Sequence, residues 1–256
     1  MNLINSTVVY VLWLREMKRF LRAKSRIIGS LAMPLFFLAF LGMGFNRLAV
    51  PGLARDVNYI QFLVPGILGM NLLFSSTFGG LSVLWDREFG FLKEIMVAPV
   101  NRVSIVLGRI AGGMTTALIQ GVIILGISIF LGFKVRSFAA LAAALLIMIL
   151  ITASFLGLGL IFASVMKDMQ GFSIIMNFVI FPLFFLSGAL YPMENLPKAI
   201  RVLSYADPLT YGIDGLRGVL LGASSRPAAV DIAVCAASSA VMVLVAAYAF
   251  EKSESA

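Results

Sequence analysis

Six stretches of mostly apolar residues, each long enough to cross a bilayer, dominate this 256-residue sequence. A spanning helix needs about 20 such residues, because each one rises about 1.5 Å through roughly 30 Å of hydrocarbon. The stretches are 27–46, 59–84, 106–132, 138–166, 173–193 and 228–250. Backbone polar groups in hydrocarbon must bond within their own segment, so runs of this length are read as helices. The expected fold is an all-α membrane protein with six transmembrane helices in one domain, 1–256. Composition agrees. The chain is 61% hydrophobic and 12% charged, against about 25% charged in soluble domains.

The charges that remain are unevenly placed. There are 20 basic and 12 acidic residues, a net charge of +8. Arg15, Lys18, Arg19, Arg22, Lys24 and Arg26 precede the first span with only Glu16 against them, while the first loop, 47–58, carries Arg47, Arg55 and Asp56. Basic residues concentrate on the cytoplasmic side, so the N-terminus is expected there, and six spans return the C-terminus to the same side. That placement is multi-pass in the inner (cytoplasmic) membrane. Anionic lipid headgroups account for the basic surplus without nucleic acid. Residues 3–24 place Arg15, Lys18, Arg19, Arg22 and Arg26 on one helical face and Trp13, Met17, Phe20 and Leu21 on the other. This pattern predicts an amphipathic helix lying in the membrane interface.

Several functions are excluded or disfavoured. The chain has no histidine, and its one cysteine, Cys235, has no intrachain partner; no metal site and no catalytic residue is expected. Asp207, Asp214 and Tyr211 are the nearest thing to an acid–base cluster, and a structural role is expected for them. No Gly-x-x-x-x-Gly-Lys-Ser/Thr loop is present, so ATP hydrolysis through that fold must reside on another chain. The middles of the spans lack ionisable residues; Arg109 lies just inside the third and Asp231 near the start of the last. Proton- and ion-coupled carriers keep such groups within the bilayer, so an ATP-independent channel or secondary carrier is the weaker alternative. The polar residues of the spans are neutral, among them Asn71, Ser75, Ser76, Thr77, Thr115, Thr116, Gln120 and Asn177. They suit interhelical hydrogen bonds or a solute path. Gly108 and Gly112, and Gly66, Gly69, Gly79 and Gly80, favour close helix packing.

Two segments carry more specific information. In the cytoplasmic loop 85–105, Asp86, Arg87, Glu88, Phe89 and Gly90 lead into Phe91, Leu92, Lys93, Glu94, Ile95 and Met96. Phe91, Leu92, Ile95 and Met96 form one apolar helical face, ended by Pro99 before Arg102. An apolar stripe there must be covered, by lipid or by the groove of a soluble partner. In the outer segment 194–227, Pro182 is expected to interrupt the span that precedes it. Leu196, Ile200 and Leu203 recur at helical spacing, and Tyr211, Asp214 and Arg217 share a helix face. The segment is too apolar for a free loop and predicts re-entrant outer helices packed on protein.

These segments resemble the permease subunits of the type-2 ATP-binding-cassette (ABC) exporter family, which includes drug-resistance, nodulation-factor and polysaccharide export permeases. The resemblance rests on Ser187-Gly188-Ala189, Leu196-Pro197, Pro208-Leu209-Thr210-Tyr211 and Arg217, and on the loop from Asp86 to Arg102. It implies a transport permease rather than an enzyme, pairing with a second permease copy and docking a separate ATPase that holds ATP and Mg. The loop, 86–102, would be the coupling contact. The second and fifth spans would line the path, with Asn71, Ser75, Thr77, Phe78, Asn177, Phe181 and Phe185 as candidates. Ser187, Gly188, Leu196, Pro197, Pro208, Tyr211, Asp214 and Arg217 would shape an outer gate. The cargo implied is amphiphilic or lipophilic: a drug, a lipid or a lipid-linked saccharide.

Overall fold

The computed structural model describes residues 5–45, 58–90, 102–166 and 168–253. Among them every regular element is helical. α1 is Ser6–Arg22, α2 Lys24–Phe45, α3 Tyr59–Gly79, α4 Leu81–Glu88, α5 Arg102–Phe130 and α6 Phe138–Val165. α7 is Met169–Leu186, α8 Lys198–Ser204, α9 Pro208–Leu221 and α10 Ala228–Ser253, with a 3-10 turn at Met193–Asn195. Six helices or helix pairs are long and apolar enough to cross a membrane, in the six places expected: α2, α3–α4, α5, α6, α7 and α10.

α3 is the centre of the bundle. Nearly every residue from Phe62 to Leu73 is buried, including Leu63, Ile67, Leu68, Leu72 and Leu73. It packs on α2, α5, α6, α7 and α9. Glycine makes this crowding sterically feasible. A side chain at Gly66 would overlap the Ala189 carbonyl, and one at Gly80 would overlap the carbonyl of Gly159. The expected close-packing role of Gly108 and Gly112 also holds, since a Cβ at either position would sit 2.8 Å from Leu12 or Glu16 of α1.

The element boundaries correct several expectations. α1 ends at Arg22, where Ala23 leaves helical geometry, so Arg26 belongs to α2 rather than to the basic face of α1. The apolar side of α1 is also not simply a lipid-facing surface. Leu12, Met17 and Phe20 are buried, α1 packs along α5, and Trp13 Nε1 donates to Thr115 Oγ1 at 3.0 Å; Leu21 is exposed. The second span continues past Gly80, which itself keeps helical angles, as α4 to Glu88, so Asp86, Arg87 and Glu88 are helical rather than loop. Pro182 does not interrupt the fifth span. α7 runs through it to Leu186, as membrane helices tolerate proline when neighbours re-satisfy the backbone. The turn at Gly188, with φ +69, then ends the segment earlier than the expected 193.

Candidate functional site

Three features stand out: a charged cluster where α1, α4 and α5 meet, a cavity beside it, and a network at the opposite end of the bundle.

In the cluster, Asp86 is 4% exposed. Its carboxylate accepts Arg15 Nη1 at 3.0 Å on Oδ2 and Arg15 Nη2 at 2.7 Å on Oδ1. Arg109 Nη2 lies 3.0 Å from Asp86 Oδ2. Asp86 holds Arg15 above the ordinary guanidinium pKa, chiefly through these hydrogen bonds, with burial opposing. Arg109 is two turns into α5, and its side chain is 8% exposed. Asp86 pairs with both arginines because α4 continues α3 as helix and turns this carboxylate toward α1 and α5. Nearby, Arg87 Nη1 donates to the Met166 carbonyl at 3.1 Å, and the Arg19 guanidinium sits 4.8 Å from the Trp85 ring centre.

These contacts divide the expected partner-docking set. Asp86 and Arg87 are engaged within the chain. Phe89 is 80% exposed, and Gly90 takes φ +75. Arg102 begins α5. Phe91, Leu92, Lys93, Glu94, Ile95, Met96 and Pro99 lie outside the described residues.

The cavity, about 340 Å³, lies between α1, α2, α3, α5 and α7. Its wall near the middle of the span carries Asn71, Ser75, Thr116 and Gln120. Asn71 Nδ2 and Gln120 Oε1 are buried without a hydrogen-bond partner among the described residues. Such orphaned groups cost free energy unless water or a ligand meets them. Aromatic rings supply much of the remaining wall. Phe74 meets Phe181 edge-on at 5.5 Å, and Phe181 stacks on Phe185 at 6.4 Å. Of the residues read as path candidates, Asn71, Ser75, Phe78, Phe181 and Phe185 come together here. Thr77 does not: it is buried, with Oγ1 donating to the Leu73 carbonyl at 2.7 Å. Asn177 lies on the exposed face of α7. Gln120, read only as suited to an interhelical hydrogen bond or a solute path, lines the cavity, as do Phe74 and Arg109, which sequence reasoning did not select for the path. Arg109 had a signal, a charge inside an apolar run; Phe74 had none, because phenylalanine is common in lipid-facing positions.

At the far end, Arg217 is 8% exposed. Its Nη2 donates to the carbonyls of Gly188 at 2.8 Å and Ala189 at 3.3 Å, and its guanidinium lies 3.7 Å from the Phe62 ring centre. This joins α9 to the turn after α7 and to α3. Asp214 accepts the Ser225 backbone N–H at 3.0 Å, with Arg226 at 3.9 Å. Tyr211 donates to the Tyr205 carbonyl at 3.0 Å, and Ser187 donates to the Phe184 carbonyl at 2.6 Å. Pro208 opens α9 behind Asp207, whose Oδ1 accepts the Leu209 N–H at 2.9 Å. Burial pushes the Asp207 carboxyl up to about 7. Burial also raises Tyr191. Leu196 and Pro197 precede α8. Leu196 is half-buried whereas Ile200 and Leu203 are exposed, so this chain covers the expected apolar spacing only in part.

Six membrane-length helical segments packed around a cavity lined by aromatic and polar side chains define a multi-pass membrane protein. The ABC-2 type transporter family profile matches residues 7–221, and the chain belongs to that family. It is similar to the inner membrane transport permease YadH of Escherichia coli (strain K12), 29% identical over 220 residues, 84% of each chain. It is 31% identical over 202 residues to nodulation protein J of Rhizobium meliloti (strain 1021), covering 78% of this chain and 76% of the relative. It is also 29% identical over 202 residues to the putative transport permease ycf38 of Cyanophora paradoxa, covering 77% and 70%.

Proposed function

We propose that this chain is the membrane subunit of an ATP-driven exporter, and that the cavity between α2, α3, α5 and α7 is part of the path of an amphiphilic or lipophilic cargo. The single observation that carries the reading is the cavity itself. It is a partly open space in a transport permease, walled by aromatics and by polar side chains, two of which, Asn71 and Gln120, keep a buried polar atom without a hydrogen-bond partner among the described residues. On this reading both termini and α1 are cytoplasmic, two permease copies assemble, and the segment from Glu88 to Arg102 docks an ATPase subunit that binds ATP and Mg. The outer helices α8 and α9 dip into the outer leaflet, where lipid covers Ile200 and Leu203.

The docking stripe supplies the test. Phe91, Leu92, Ile95 and Met96 are each worth roughly 1.5–3 kcal/mol when buried. Phe91→Asp or Leu92→Asp puts an uncompensated charge into that contact. Either variant is expected to insert normally into the membrane while losing the copurifying ATPase. Recovery of the ATPase at wild-type stoichiometry, with cargo-stimulated hydrolysis intact, would overturn the docking assignment.

A further inference from the structure

The two ends of α7 are held in different ways. At the far end, the turn 187–190 is bound to α3 and α9 through its backbone. Arg217 of α9 donates to the carbonyls of Gly188 and Ala189, and its Nε reaches the Phe62 carbonyl of α3 at 3.4 Å. Tyr59, the first residue of α3, donates its hydroxyl to the Leu190 carbonyl at 3.0 Å. Gly66 admits the Ala189 carbonyl at a range where a Cβ would overlap it. Ser187, Gly188 and Ala189 are all buried. Donors from two helices thus meet consecutive carbonyls of this turn, and bonds from a guanidinium are among the stronger ones.

Along its length α7 rests on a narrow stripe. Its buried residues are Phe172, Met176, Ile180 and Phe184, spaced by four. Gln170, Ile174 and Phe178 lie on the opposite face and are exposed, Phe178 by 80%. A stripe one side chain wide resists sliding along the helix, because each knob sits between neighbours, but resists rocking much less. At the end nearest α1, Arg87 of α4 donates to the Met166 carbonyl just before α7. That bond is made by the tip of a long side chain, which can follow a movement of either element.

We propose that α7 is a lever that pivots at the turn 187–190, with Arg217 as the positioning residue of the pivot and Arg87 as the tie that passes movement of α4 to the opposite end. At about 1.5 Å per residue, α7 is about 27 Å long. A rigid swing of about 10° carries its first residue about 5 Å, but moves Phe181, about 8 Å from the pivot, by little more than about 1 Å. The aromatic wall of the cavity therefore stays in place while the mouth toward α1 widens. α4 leads into the segment proposed to dock an ATPase, so on that reading the tie is where movement of the docking segment reaches the cavity. The pivot itself depends only on the packing of this chain.

The test uses the full chain in nanodiscs, in a Cys235→Ala background, with spin-label pairs read by pulsed electron paramagnetic resonance. One label stays at Leu244, which is 70% exposed on α10. The other is placed at Gln170, Ile174 or Phe178. Their lever arms from Leu186 are about 24, 18 and 12 Å, so the distance distribution is expected to be about twice as wide at Gln170 as at Phe178 once the spread of the label itself is subtracted. Arg217→Gln is expected to abolish this gradient by widening the distribution at Phe178, and Arg217→Lys to restore part of it. Tyr59→Phe, a milder change at the same turn, is expected to weaken the gradient in the same direction, and it decides the matter if Arg217→Gln does not fold. Arg87→Gln is expected to widen the distribution at Gln170 and leave that at Phe178 unchanged. Equal widths at the three wild-type positions mean that α7 moves as a whole or not at all, and overturn the lever. A gradient that extrapolates to zero at Pro182 puts the bend within the helix and overturns the pivot at the turn. A gradient that survives both Arg217→Gln and Tyr59→Phe overturns the positioning role of Arg217, and an Arg87→Gln variant with no effect at Gln170 overturns the tie. The distances are read without ATPase or cargo, so failure here leaves the proposed transport reading untouched, and failure of that reading leaves the pivot untouched.

Discussion

Asp86 joins three helices through one carboxylate, and its removal makes the most quantitative prediction. Asp86→Asn keeps the shape but removes the charge, leaving Arg109 nine-tenths buried beside Arg15 with no carboxylate at ion-pair distance from Arg109 among the described residues. Breaking a buried pair from one side typically costs about 3–5 kcal/mol, and the amide oxygen that remains recovers only a neutral hydrogen bond of about 1 kcal/mol. The expected loss is therefore about 3 kcal/mol, close to a hundredfold in the unfolding equilibrium. Arg15→Gln should cost far less, about 1 kcal/mol, because a third of the Arg15 side chain is exposed and its charge is screened. In Asp86→Asn/Arg109→Gln the uncompensated buried charge disappears with its partner. The double variant should therefore be more stable than Asp86→Asn by about 2 kcal/mol rather than less stable. Equilibrium unfolding in mixed micelles, followed by tryptophan fluorescence, reads the region directly, since Trp13 and Trp85 flank the triad. A cost for Asp86→Asn below about 1 kcal/mol, or strict additivity in the double variant, would refute a buried triad at this position.

Three further outcomes are expected. Gly66→Ala should destabilise by about 1–3 kcal/mol, as overpacking does, because its methyl meets the rigid Ala189 carbonyl; Gly29→Ala, which meets nothing within 4 Å, should be near neutral in the same unfolding assay. Asp207 has a folded pKa of about 7 against an ordinary 3.8, so the native state holds its proton where the unfolded state does not. Stability from this group is full below about pH 4 and falls as pH rises to about 7, by up to about 4 kcal/mol. Asp207→Asn, which keeps an oxygen for the Leu209 N–H, should flatten that slope in a stability–pH series. Arg217→Lys loses the planar contact with Phe62 and part of the bonding to Gly188 and Ala189. The expected cost is about 1–3 kcal/mol, and faster proteolysis after residue 186 would report it.

The helices were legible because each span needs an uninterrupted apolar run, and such a run needs no partner to be recognised. What the charges do was legible only in part. Asp86 looks like loop polarity when 85–105 is read alone. Its role depends on a helix that continues past Gly80 and on two arginines 71 residues before and 23 residues after it. Arg217 stood out in its motif, but three of its partners are the backbone carbonyls of Phe62, Gly188 and Ala189, which leave no trace in residue identity. Pro182 misled because proline breaks helices in water, whereas packed neighbours keep α7 continuous. The apolar face of α1 was clear from its spacing. That protein covers much of it follows from the small residues of α5, Gly108 and Gly112, which admit Leu12 and Glu16 at close range.

The burial of α3 has a mechanical consequence. In the most apolar stretch of α3 and α4, 67% of residues are buried, against 17% in α2 and 22% in α7. Shifting α3 would break contacts on every flank at once, and its glycine–carbonyl approaches leave no slack for sliding. α6 and α9 are packed to it and would have to travel with it, while α10, no more buried than α2, is held by its packing along α6 and α9. These four helices are expected to act together as a stator. The cavity has that stator and α5 on one side and the lightly held α2 and α7 on the other, so its volume changes at least cost when α2 or α7 swings. A probe of motion is therefore best placed on those two helices, with α3 as the fixed reference.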